Sequence, residues 1–208
     1  MLHPEAADAN TRRVLSSLMN LPPFNDFHLC GGTSLALLFG HRVSVDIDLF
    51  SPVQLNKDII ARELSNAFPG YKEVFTPVRS FYFCYLDNIK TDFVYSEAPV
   101  ISPFLQLEDL RMWSLPDIVA MKLNAIYGRG SKKDFWDIDE LLNHYTLKEM
   151  SEFFFSKYPK AFEEGMMMSL VYFEDADKEV DPIKLKQRNW PDIKRRVEKE
   201  VRISFKNQ

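Results

Sequence analysis

Asp46 and Asp48 stand one residue apart in Val43-Ser44-Val45-Asp46-Ile47-Asp48-Leu49-Phe50, where polar and apolar side chains alternate. In a strand, residues i and i+2 face the same way, with Cα atoms about 6.6 Å apart. Carboxylates so placed suit a pair of Mg²⁺ ions, which sit roughly 3.5–4 Å apart in two-metal sites and share oxygen ligands with substrate phosphates. Taken alone, Asp-x-Asp reads more readily as a solvent-facing strand edge. Gly31-Gly32-Thr33 precedes the pair and opens an apolar run that ends at Gly40. A helix N-terminus offers free N–H groups and partial positive charge to phosphate, and glycine lets the backbone approach closely. The order places a phosphate cradle beside a divalent-metal site, which is equipment for chemistry on a nucleoside triphosphate. Asp92, in Ile89-Lys90-Thr91-Asp92-Phe93-Val94, is the candidate third carboxylate and general base; the bland alternative is a single exposed acid on a strand. Ser44 shares the face of Asp46 and Asp48 and could donate a hydrogen bond to phosphate.

A second constellation follows. Lys122, in Asp117-Ile-Val-Ala-Met-Lys122-Leu-Asn-Ala-Ile126, falls at helical spacing on one stripe with Ile118, Ala125 and Arg129. A lysine among so many apolar neighbours either snorkels to the surface or reads phosphate as a cation. Arg129-Gly-Ser-Lys-Lys-Asp134-Phe-Trp-Asp137 puts two carboxylates one turn apart, on a different helix face from Phe135, Ile138 and Leu142. They could anchor Lys122 or Arg129, or help position a nucleotide; an interhelical salt-bridge network is compatible with either. His28, His41 and His144 show no metal-ligand spacing, and His41 reads as a residue of the helix end at Gly40.

The elements that must carry these residues are legible in outline. Residues 5–19 read as a helix stopped by Pro22-Pro23. A short strand over 27–30, a helix over 33–39 and a strand over 43–50 follow, then a helix over 56–68. Residues 71–75, 80–86 and 90–95 read as strands, with Asp87-Asn88 as a hairpin turn. From Leu107 onward the pattern is helical. Ser114-Leu-Pro-Asp117 starts a helix with a capping serine, an early proline and a first-turn acid. Gly128 and Gly130 interrupt it, and 133–145 forms another. We expect an α+β chain whose catalytic part spans 1–106, with its α/β core over about 24–106, and a helical region over 107–208 that completes the site.

The 208 residues are 46% hydrophobic and 27% charged, enough apolar material for a core and too much for a disordered chain. A net charge of −4 excludes the whole molecule as an electrostatic nucleic-acid binder. Residues 183–208 are nevertheless basic, with Lys184, Lys186, Arg188, Lys194, Arg195, Arg196, Lys199, Arg202 and Lys206 against three acids. They read as the solvated face of an amphipathic helix or, more sharply, as a surface for RNA or an acidic partner. Cys30 and Cys84 lie in apolar runs and read as small buried hydrophobes, in keeping with a reducing cytoplasm. The Phe153–Phe155 and Met166–Met168 runs read as core. No apolar run approaches the ~20 residues that span a bilayer, and the start does not resemble a signal peptide; a cytoplasmic protein is expected.

Taken in order, Gly-Gly-Thr-Ser-Leu-Ala-Leu, Gly-His-Arg-Val-Ser-Val-Asp-Ile-Asp-Leu-Phe, Asp-Ile-Val-Ala-Met-Lys-Leu-Asn-Ala and Arg-Gly-Ser-Lys-Lys-Asp-Phe-Trp-Asp resemble the AbiEii/AbiGii nucleotidyltransferase family over about residues 24–145. Tyr172-Phe173-Glu-Asp-Ala176 and Trp190 resemble that family's tail. The resemblance implies a polymerase-β-like nucleotidyltransferase core, a mixed sheet flanked by helices, with a helical C-terminal region. It implies Mg²⁺-dependent transfer of a nucleotide from an NTP to an RNA or protein hydroxyl. Family members include toxins of bacterial toxin–antitoxin and abortive-infection systems, some acting on tRNA ends, so a cognate antitoxin is an expected partner. On this footing Gly31, Gly32, Thr33 and Ser44 take the phosphate side, Asp46 and Asp48 (with Asp92) the metals, and Lys122 the triphosphate. Arg129, Asp134 and Asp137 assist nucleotide binding. Thr33 stands where the family often has serine, which keeps the hydroxyl. The alternative is a non-catalytic nucleotide- or partner-binding module on the same scaffold.

Overall fold

The computed structural model describes residues 2–206, with side chains through residue 204; Lys206 of the basic run therefore lies outside the described side chains. Seven strands form one mixed sheet: β1 (His28–Cys30), β2 (Ile47–Ser51), β3 (Lys72–Val74), β4 (Phe81–Leu86), β5 (Ile89–Tyr95), β6 (Leu105–Leu107) and β7 (Leu110–Met112). Their order is β3-β4-β5-β2-β1-β7-β6, with β2/β5 and β1/β7 parallel and the other neighbours antiparallel. The helices are α1 (Ala9–Met19), α2 (Gly31–Phe39), α3 (Lys57–Ala67), α4 (Leu115–Gly128), α5 (Lys132–Leu141), α6 (Leu147–Lys157), α7 (Glu163–Leu170), α8 (Glu174–Asp177) and α9 (Trp190–Lys206). The expected mixed sheet flanked by helices is what the chain forms.

Alternation along the central strands sorts the core into two parts. Leu29 and Met112 join Val14, Leu18, Ile60, Leu64 and Phe93 beneath α1 and α3. Their neighbours Cys30 and Trp113 point the other way, into the core built with Phe135, Trp136, Phe154 and Trp190 of the helical region. Asp48 is the register partner of both Cys30 and Asp92. Side chains at paired positions share a face, so both carboxylates emerge toward the helical region.

Several boundaries follow local chemistry. Ser114 caps α4 by accepting from the Asp117 amide, and Asn56 does the same for α3 through Ile59. Asp87 and Asn88 both take positive φ, the geometry of a tight hairpin turn. Other expectations need correction. The first helix starts at Ala9 rather than residue 5, because Asp8 caps it and Pro4–Ala6 forms a separate 3-10 turn. The strand expected from residue 43 begins at Ile47; the segment before it bonds instead to distant backbone, Val43 N–H to Ile183 and Ser44 N–H to Ala6. The helix expected over 133–145 ends at Leu141. The chain is also not helical from Leu107: β6 and β7 form a hairpin across residues 107–110, and β7 adds to the sheet beside β1. Three-residue strands show too little alternation to be recognised before their partners are known. Cys30 and Cys84 are buried free thiols, as expected, and burial pushes both up to about 12. Of the three methionines read as core, Met166 and Met167 are buried, but Met168 is 68% exposed. Among the described residues, no helix is long and apolar enough to cross a membrane.

Candidate active site

β1 runs directly into α2, and the junction is a glycine with φ +70. A Cβ on Gly31 would collide with Oδ2 of Asp48, so only glycine allows this close approach. The N-terminus of α2 therefore lies against the β2 carboxylate. Gly32 is held open for a different reason: a Cβ there would collide with Nη2 of Arg42.

Gly31, Gly32, Ser44, Asp46, Asp48, Asp92, Lys122, Arg129 and Asp134 line one cleft of about 160 Å³. Asp46 and Asp48 both face this cleft, although Asp46 sits just ahead of β2 instead of within it. Asp46 Oδ2 is 3.2 Å from Lys133 Nζ, and Asp92 Oδ2 is 2.7 Å from Lys90 Nζ. The other Asp92 oxygen, Oδ1, is buried without a hydrogen-bond partner. Burial, and then the charge of Asp92, push the Asp48 carboxyl up to about 6. Asp92 is raised as well, by burial against the opposing hydrogen bond from Lys90, with Asp46 adding to the rise.

These facts test whether a divalent cation fits. Hard oxygen donors, an orphaned carboxylate oxygen and carboxyls raised by burial and then by neighbouring acids all suit Mg²⁺. Among the described residues, no three such side chains converge closely enough to grip an ion as they stand. Lys90 and Lys133 sit on the outer carboxylate oxygens, and two ammonium charges there already answer part of the negative field.

Across the cleft, α4 presents Ile118, Lys122, Ala125 and Arg129 along one stripe. Lys122 is only 6% exposed, which excludes a snorkelling surface lysine. Its Nζ lies 2.9 Å from Asp134 Oδ1 and 2.7 Å from Asp137 Oδ2. Burial works against the ammonium, but Asp137 and Asp134 hold it above the usual lysine range. The two carboxyls move oppositely: burial opposes their charge, yet Lys122 brings Asp134 down, and Arg42 and Lys122 bring Asp137 well down. Asp134 also accepts from Ser131 Oγ at 2.7 Å, and the exposed Arg129 Nε lies 3.7 Å from it.

Two residues chosen from the sequence do not reach the cleft wall. Thr33 is fully buried and its hydroxyl hydrogen-bonds with Ser44 Oγ and with the Asp46 carbonyl, so it shapes the loop that carries Asp46. Asp137 lies behind the wall, contacting Arg42, His41 and Lys122. Sequence reasoning missed Arg42 and misread His41. His41 is not a simple helix-end residue: its Nε2 meets Asp137 Oδ1 at 2.7 Å, with the ring buried. Both sit between Gly40 and the Asp-x-Asp pair, and only the oddity of two basic residues in that apolar context could have flagged them. Lys90 and Lys133 were unassigned neighbours of the chosen acids.

The basic C-terminal segment is engaged within the chain. Lys186 pairs with Glu140 at 2.7 Å, Arg188 and Arg196 with Asp139 at 2.9 and 3.0 Å, and Lys194 with Asp177 at 2.8 Å. Much of its charge clamps residues 183–196 onto α5 and α8.

The mixed sheet places Asp48 and Asp92 on neighbouring strands beside the glycine-led α2 and across from Lys122, and the chain is a nucleotidyltransferase by family. Solved structures share the fold. A Helicobacter pylori protein described as a candidate nucleotidyltransferase superposes with TM-score 0.59 at 20% identity, over 94% of this chain and 92% of that one. MenT4, a nucleotidyltransferase toxin of Mycobacterium tuberculosis, gives 0.57 at 15% identity, over 93% and 82%. The chain belongs to the family described as nucleotidyl transferase AbiEii toxin, type IV toxin–antitoxin system, whose sequence profile matches residues 13–206. An uncharacterized protein of Aquifex aeolicus is 34% identical over 175 residues, covering 81% of this chain and 84% of that protein. Membership implies an NTP substrate and an antitoxin.

Proposed function

We propose that this nucleotidyltransferase toxin is Mg²⁺-dependent and transfers a nucleotide from an NTP to a hydroxyl of RNA, with tRNA ends the leading acceptor. The observation that carries the reading is the unpartnered, buried Oδ1 of Asp92 beside Asp48, whose carboxyl is pushed up to about 6, in a cleft opened by Gly31 and walled by Lys122. Asp46, Asp48 and Asp92 would hold the metal, with two ions expected; bound Mg²⁺ supplies positive charge for the attacking and leaving oxygens.

The chain's own groups do the rest. The amides at the start of α2 and the Lys122 and Arg129 cations bind the triphosphate and orient its α-phosphorus. The acceptor oxygen forms a bond to that phosphorus as the bond to the pyrophosphate oxygen breaks. Oδ1 of Asp92 takes the proton of the acceptor hydroxyl, and pyrophosphate departs with the electron pair of the broken bond. Asp137 stays behind Lys122 and Arg42 and keeps both cations placed. In this reading the sheet half carries the metal ligands and the helical half closes the site.

The test is incubation of the protein with each α-labelled NTP, Mg²⁺ and total RNA, and separately with total protein. We expect label in RNA, lost in Asp46→Ala and Asp48→Ala variants that retain wild-type circular dichroism. Full activity in either variant overturns the assignment. NTP binding without label transfer to any acceptor would also overturn it.

A further inference from the structure

A second groove, of about 530 Å³, adjoins the carboxylate cleft at Arg129. Arg129 lines both cavities. Its guanidinium is 69% exposed, loosely held by Asp134, and electrostatically felt by Asp92. The groove walls are Tyr127 from the end of α4, Met168 from α7, and Tyr172 beyond it. These side chains are 37%, 68% and 52% exposed, unusual for large apolar groups gathered in one place. Gly128 lies on the groove, and a Cβ added there would meet nothing within 4 Å. Of the acids at the groove, Asp175 pairs with Lys178 at 3.3 Å, and Glu174 accepts from the Tyr172 hydroxyl at 2.9 Å.

We propose that this groove binds the unpaired end of the RNA acceptor, with Tyr127 and Tyr172 stacking its bases and Arg129 holding the phosphate that leads into the carboxylate cleft. The inference rests on the function proposed above and names the acceptor's form: a single strand, not a duplex. Aromatic faces joined to one exposed cation are the elements that bind single strands, because every base has a stackable face and every linkage a negative charge. Continuity through Arg129 sets this groove apart from a larger one of about 930 Å³ along α6 and α9, which shares no lining residue with the carboxylate cleft. A strand seated on Tyr172 would pass Arg129 before its terminal hydroxyl reached Asp92.

The experiment measures binding separately from turnover. The intact protein is titrated into a fluorescent single-stranded oligoribonucleotide and into the same sequence closed as a duplex, with a fluorescent NTP analogue as a parallel ligand. Tyr172→Ala is expected to weaken single-strand binding by about 5- to 150-fold, the cost of one lost stack. Tyr172→Phe keeps the ring and should bind like wild type, as should Phe75→Ala, which removes an exposed aromatic (88%) outside the groove. NTP-analogue affinity should be unchanged in all three. A 4-thiouridine near the RNA end should cross-link to Tyr127, Met168 or Tyr172. Equal binding by Tyr172→Ala and wild type, equal affinity for duplex, or cross-links only elsewhere overturns the groove. Label entering protein without single-strand binding would give the surface to a polypeptide acceptor and also overturns it. If single strands bind at Tyr172 but no label transfers, the groove stands and the transferase reading falls; the two failures are therefore distinct.

Discussion

The guanidinium of Arg42 forks onto the carboxylate of Asp137, Nε to Oδ1 at 2.7 Å and Nη2 to Oδ2 at 2.9 Å, with both side chains buried. This pair ties the segment leading into Asp46 and Asp48 to α5, and Lys122 and His41 complete the contact. A carboxylate shared by two buried cations is the joint between the sheet and the helical region.

Removing that carboxylate should be costly. Asp137→Ala leaves Arg42 and Lys122 buried with less compensation, and we expect a loss of about 3–5 kcal/mol. Urea unfolding measures it; a loss below about 1 kcal/mol would show that the joint is dispensable.

The same residue sets a dependence on acid. Burial opposes ionisation of Asp137, yet Arg42 and Lys122 hold its carboxyl well below the ordinary 3.8. The unfolded chain therefore takes up the proton first as pH falls. The stabilisation is complete above the unfolded value of 3.8 and is lost as pH drops through the lower folded value. Urea midpoints of wild type and Asp137→Asn across pH 2–7 should differ most above about 4 and converge in acid. A gap that widens toward acid would contradict the sign.

Gly31→Ala should damage activity more than stability. The positive φ costs about 1–2 kcal/mol for an alanine, and the new methyl must push the Asp48 carboxylate aside. A displacement near 1 Å at a reacting centre can cost about a hundredfold in rate. Label-transfer rates beside the melting temperature separate the two effects.

Lys157 and Asp117 form an ion pair at 2.7 Å with both side chains 0% exposed, and Lys157 also lies over the Trp113 ring. Lys157→Met should lower stability by about 3–5 kcal/mol, because Asp117 remains buried and charged. Activity per folded molecule should hold, since neither residue lines the carboxylate cleft. Denaturation curves with active-site titration decide this.

Chelation should stop transfer and Mg²⁺ should restore it. Mg²⁺ should also raise the melting temperature of wild type by binding the folded state, an effect that Asp48→Asn should lose. An equal rise in the variant would place the ion elsewhere.

Signals confined to a few neighbouring residues were legible. Gly31-Gly32 and Gly40 bracket α2, Asp87-Asn88 makes the turn, and Ser114 caps α4, each through its own backbone preference. Lys122 with Asp134 and Asp137 was within reach because helical spacing lined them up on adjoining helices. The β6–β7 hairpin was not, since each strand has three residues and needs β1 for its place. Alternation alone predicts a strand at Asp46, whereas Thr33 holds that segment as a loop.

What the sequence by itself determined was the chemical inventory: two acids one residue apart, glycines where backbone must come close, and a lysine set among apolar neighbours. Tertiary structure alone decided which charges meet. Arg42 lies 95 residues from Asp137, and Asp46 lies 87 from Lys133. A Coulomb attraction depends on distance in space and on burial, and no local spacing along the chain encodes either one.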